Sequence, residues 1–224
     1  MYLGNKYGLI DQMNVDAVKV FTSDLYVSQN HLAPSQENVN ILKYFKLPIV
    51  VHIRDPRQAM LSWIHHIDRI TGGDANAEWV LYTIPRVPQN YFSYTLTEKI
   101  TWHIKHYLPQ LIDWIQRWSQ LSESRELDIL ITDWSELRHD ESALIARILE
   151  YYGIDKTKFE QTVVPKDIET SHYRKADANE WMEEYSRSQI LTSTRMIPKW
   201  MLNRFNWLGC KNNPLRVKKR FWLF

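Results

Sequence analysis

Arg54 closes the apolar run Val50-Val51-His52-Ile53, and Ser62 follows it by eight residues. A guanidinium is a forked, permanently charged donor and a hydroxyl is a short neutral one, so the two can grip one phosphate together. The elements that would position them are legible nearby. Residues 48–53 are a short apolar run of the kind that forms a buried strand. Asp55-Pro56 follows, and proline suits the first position of a helix. Beyond it Ala59, Met60, Trp63, Ile64 and Ile67 recur at the spacing of one apolar helix face. A plain strand–helix joint carrying a surface ion pair would have the same pattern, and the spacing alone leaves both readings open.

The surrounding chain reads as strands separated by helices. Residues 17–22 are expected to be a strand, 35–45 a short helix, 48–53 a strand and 56–70 a helix broken by Gly72-Gly73-Asp74. Residues up to about Phe92, with Pro85 and Pro88, should be irregular, with a helical turn near Ala77 to Tyr82. Ile100, Ile104, Leu108, Leu111, Ile115 and Trp118 mark a long helix that Pro109 kinks or divides. Residues 127–131 read as another strand. Asp140 caps a helix ending at Gly153. Residues 154–175 read as connection, 178–188 as a short helix, and the last stretch shows no clean period. This order implies an α/β domain, a largely parallel sheet flanked by helices. Ligands of such folds gather at the carboxyl ends of strands, where Arg54, Thr22-Ser23-Asp24 and Thr132-Asp133 would all lie.

A length of 224 residues suits one domain, with its core over about 17–184 and a basic, aromatic segment over 185–224. That segment has nine Lys and Arg and no acid, while the first 184 residues hold 19 basic against 26 acidic side chains. A basic end on an acidic body suits an anionic partner, either a phosphorylated or sulfated molecule or a membrane surface met peripherally. Cys210 is the only cysteine, so no internal disulfide forms. No signal peptide and no spanning run is apparent, which makes a cytoplasmic protein the expectation. His65 and His66 are adjacent and would point apart on a helix, so no metal site is expected.

Arg54-Asp55-Pro56-Arg57 with Ser62 resembles the 3′-phosphate-binding segment of the sulfotransferases that use 3′-phosphoadenosine 5′-phosphosulfate (PAPS). Two more segments agree in order. Residues 127–133, ending in Thr132-Asp133, and then Ala143 to Gly153, resemble the family's second strand and following helix, although Ile131 stands where a tyrosine contacts adenine. Arg174-Lys175, with Trp181 after it, resembles the family's carboxyl-terminal phosphate loop, with its two glycines replaced. The resemblance runs from about Val18 to Trp181. It implies a P-loop NTPase-like sulfotransferase fold in which Arg54, Ser62, Arg174, Lys175 and Trp181 hold PAPS as co-substrate without a metal. The family's Pro-Lys-Ser-Gly-Thr-Thr loop for the 5′-phosphosulfate has no counterpart here. Gly4-Asn5-Lys6-Tyr7-Gly8 is a chance echo, and the fold is expected to be incomplete at its amino-terminal side.

Sulfuryl transfer needs a base for the acceptor's proton and cations on the leaving nucleotide. By the family's pattern the base follows the strand before the Arg-bearing one, which points to Asp24, with His31 the alternative. The acceptor would be the hydroxyl or amine of a small molecule, carbohydrate or lipid, walled by residues 72–92 and the chain's end. The rival is a non-catalytic relative that binds a nucleotide or a partner. The aromatic, basic end contains no recognised nucleic-acid module, and nucleic acid is not an expected partner.

Overall fold

The computed structural model describes residues 12–22, 30–159 and 179–208. Among the described residues ten α-helices flank two strands: α1 (Val15–Phe21), α2 (Gln36–Phe45), β1 (Ile49–Ile53), α3 (Pro56–Thr71), α4 (Leu96–His106), α5 (Leu108–Glu123), β2 (Ile129–Asp133), α6 (Trp134–His139), α7 (Glu141–Tyr151), α8 (Glu180–Glu184), α9 (Arg187–Met196) and α10 (Lys199–Arg204). The strands pair in parallel, with Val51 opposite Ile131 and His52 opposite Thr132. Antiparallel neighbours need only a tight turn, whereas parallel ones need a crossover; here α3, α4 and α5 supply it. The expected α/β architecture of parallel strands among helices is therefore present, with two strands among the described residues.

Most boundaries follow local chemistry. Asp55 caps α3, accepting from the Arg57 N–H, with Pro56 at the first helical position. The long helix expected over 96–121 is two, α4 and α5, parted at Tyr107 with Pro109 in the first turn of the second. A capping box of Thr95 and Glu98 starts α4. Asp140 caps α7, and Gly153, at φ 65°, takes the left-handed conformation just past its end.

Residues 17–22 correct the expectation of a strand, since they lie in or against helix α1. The Asn14 side chain accepts hydrogen bonds from the Asp16 and Ala17 N–H groups, an amino-terminal cap that outweighs the β-branched composition. Val18 is fully buried on the inner face, and Lys19 pairs back to Asp16.

The core gathers Val51 and Ile53 of β1 with Met60, Leu61 and Ile64 of α3, Ile100 and Ile104 of α4, and Leu108, Ile115 and Trp118 of α5. It continues past residue 184: Tyr185, Ile190, Ile197, Met201, Leu202 and Trp207 belong to the same apolar cluster. The expected core limit at 184 thus moves to 207. Residues 72–92 fold over a smaller cluster of Ile67, Val80, Val87 and Tyr91. Among the described residues no helix is long and apolar enough to cross a membrane.

Candidate functional site

Alternation along β1 decides what faces the ligand side. Val51 and Ile53 are buried in the core, whereas His52 faces outward. Arg54 continues that alternation one step past the strand, and in the parallel register it falls beside Trp134, the residue after the Ile53–Asp133 pair. The Arg54 guanidinium lies 4.9 Å from the Trp134 ring centroid, a cation–π contact at the carboxyl end of both strands.

A cleft of about 200 Å³ opens beside Arg54. Asp55 and Gln58 line it from the start of α3, Asp133, Trp134 and Ser135 from the β2–α6 joint, Trp181 from α8, and Phe205 and Trp207 from the turn after α10. Its lining thus combines the aromatic rings of Trp134, Trp181, Phe205 and Trp207 with polar side chains and the Arg54 cation.

Those walls are held by a second arginine. Arg57 is 1% exposed. Its Nε donates to Asp55 Oδ1 at 2.9 Å and its Nη2 to Asp55 Oδ2 at 2.6 Å. Nη1 donates to Thr194 Oγ1 at 2.8 Å, and Nη2 also donates to the Trp207 carbonyl at 2.9 Å. The guanidinium carbon lies 3.9 Å from the Trp181 ring centroid. The Tyr185 hydroxyl donates to the Arg57 carbonyl at 2.9 Å, and burial together with the Asp55 charge holds that phenol above its usual range. Trp181 N–H donates to Gln58 Oε1 at 3.2 Å. A buried charge whose three guanidinium nitrogens are all engaged is a structural hub. The ion pair considered for this joint thus exists, formed within the core by Arg57, while Arg54 lines the cleft.

Asp133 does the same for the opposite wall. Its carboxylate accepts from the Ser135 N–H at 2.7 Å, from the Ser135 hydroxyl, and from Trp207 Nε1 at 3.2 Å. Beside it, His52 Nδ1 lies 2.8 Å from Thr132 Oγ1. Burial holds this imidazole below its ordinary pKa, against the pull of Asp133 and with the help of Arg54.

The expected site residues fall into three groups. Arg54 and Trp181 line one cleft. Ser62 is half-buried on α3, one turn past Gln58, and does not line that cleft; His31 is exposed ahead of α2. Asp24, Arg174 and Lys175 lie outside the described residues. Phe205 to Trp207 line the cleft, and residues 72–92 do not. Sequence reasoning missed Trp134, Phe205 and Trp207 as walls and Arg57 as their anchor. The visible signal was the aromatic content of the carboxyl-terminal stretch.

The chain matches no family model, no curated protein and no solved structure.

Proposed function

We propose that this protein binds a 3′-phosphorylated adenine nucleotide at Arg54 and uses PAPS to sulfate a hydroxyl or amine acceptor. The observation that carries the reading is the Arg54 guanidinium at the carboxyl end of a parallel strand pair, set in a cleft walled by tryptophans. That donor set fits the group. A fixed cation matches a phosphate, and indole faces match a base. The cleft's 200 Å³ is below the roughly 300–1,000 Å³ usual for ligand pockets, so it suits part of a nucleotide. Arg174 and Lys175 are the proposed further phosphate ligands; with residues 17–21 helical, the strand that pointed to Asp24 as the base is gone, and His31 lies outside the cleft lining. Bound PAPS would supply the activated sulfuryl group; the chain's own residues would anchor its phosphate and stack its base.

Calorimetry with adenosine 3′,5′-bisphosphate tests the binding step. Arg54→Ala should weaken affinity by about 1.5–3 kcal/mol, the value of a hydrogen-bond set to a charged group. Equal affinity for adenosine 5′-monophosphate would sink the 3′-phosphate assignment. The placement of Ser62 outside the cleft favours a second reading, a nucleotide binder without transfer activity. Transfer of labelled sulfate from PAPS to a panel of hydroxyl and amine acceptors separates the two: transfer supports the enzyme, and tight binding without transfer supports the binder.

A further inference from the structure

His52 stands on the same outward face of β1 as Arg54, two residues before it. Successive same-face positions on a strand are about 6.5–7 Å apart, a gap that one tetrahedral oxyanion held by two side chains can bridge. The register places His52 beside Thr132 and Arg54 beside Trp134, so the four form one patch. His52 contacts the Trp134 ring edge-on at 6.3 Å between centroids, and Arg54 lies over the same ring at 4.9 Å. Thr132 is 1% exposed, and its hydroxyl fixes one nitrogen of the imidazole, Nδ1, at 2.8 Å. Among the described residues the other nitrogen, Nε2, makes no hydrogen bond. The ring is thus oriented through Nδ1 on a residue that is itself exposed.

We propose that His52 and Arg54 together bind one phosphate or sulfate oxyanion, with His52 Nε2 as the second donor. The inference rests on the nucleotide reading only for the identity of the anion's carrier. The charged groups acting on the imidazole are Arg54 on its own strand and Asp133 at the end of β2. Before the anion arrives, partial burial and the Arg54 charge favour the neutral ring, against the pull of Asp133. An oxyanion at Nε2 supplies the negative charge that favours the imidazolium, so binding takes up a proton and tightens as pH falls.

Imidazole NMR of the full chain tests this, with the His52 signals identified by their loss in His52→Gln. Inorganic sulfate and adenosine 3′,5′-bisphosphate are each added, and His106 on α4 serves as the reference for general salt effects. The expected result is that His52 signals move with both anions while those of His106 do not, and that the His52 titration midpoint rises. Arg54→Gln should diminish the response, and His52→Gln should weaken nucleotide affinity roughly three- to tenfold. His52 signals unmoved by either anion overturn the inference; if the nucleotide still binds through Arg54 in that case, the functional reading survives alone. Movement with sulfate but no nucleotide binding would uphold the oxyanion site and remove its nucleotide.

Discussion

His103 shows how a single side chain away from the cleft can set the protein's response to acid. It is fully buried on α4, and its Nε2 lies 2.9 Å from the Tyr91 hydroxyl. Nδ1 is buried with no hydrogen-bond partner among the described residues. Burial first, and the nearby His106 and Lys99 charges second, push its pKa down to about 3. In the unfolded chain the same group protonates near 6.5. The unfolded state therefore takes up a proton between these limits and the folded state does not. Its contribution to stability is fully present above pH 6.5 and is lost progressively as pH falls toward 3, at up to about 1.4 kcal/mol per pH unit. His103→Gln can keep a bond to Tyr91 while removing the titration. Urea midpoints at pH 7, 6, 5 and 4 should fall less steeply in this variant than in the parent. Equal slopes would show that His103 is protonated in the folded state.

At the level of elements, the β1–α3 joint and the helices α8–α10 form one unit because Arg57 reaches between them. Its partner Asp55 is itself mostly buried, at 13% side-chain exposure. Removing one member of a buried pair strands the other, at a cost of about 3–5 kcal/mol. Arg57→Ala should lower stability by that order in chemical denaturation. Asp55→Ala would leave the guanidinium the poorer for its main partner and should be comparably costly. A loss below about 1 kcal/mol for Arg57→Ala would show that the Trp181 and Trp207 walls are held by apolar packing alone. This unit also marks where legibility ended. The joint itself could be read, because an apolar run, a capping Asp and a first-position Pro act within a few residues of one another. The division of labour between Arg54 and Arg57 could not. It depends on Thr194 and Trp207, which lie 137 and 150 residues away from Arg57. Residues 17–21 form a helix for the opposite reason: the deciding signal, the Asn14 cap, sits just before the segment. The Pro109 break, the Asp140 cap and the Gly153 stop were legible because each acts within its own turn.

Over the whole molecule, the carboxyl-terminal stretch changes its meaning most. Its charge pattern suggested a basic appendage beyond a core ending at 184, yet through residue 207 it completes that core. Tyr185, Ile190, Ile197, Met201, Leu202 and Trp207 are all under 9% exposed. At about 1.5–3 kcal/mol per fully buried side chain, their burial is of order 10 kcal/mol before the entropy of ordering the segment is subtracted. Net stabilities of domains are only about 5–15 kcal/mol. A chain ending at residue 184 would lose this contribution, expose the inner faces of α3 and α4, and leave Arg57 without Thr194, Tyr185 and the Trp207 carbonyl. It should lose cooperative thermal unfolding and near-ultraviolet circular dichroism, and with them the cleft, since Phe205, Asn206 and Trp207 form one wall. A truncated chain that still unfolds cooperatively near the parent's midpoint would return the stretch to the role of an appendage. It would then place the stabilising contacts of Arg57 in Asp55 and Trp181 alone.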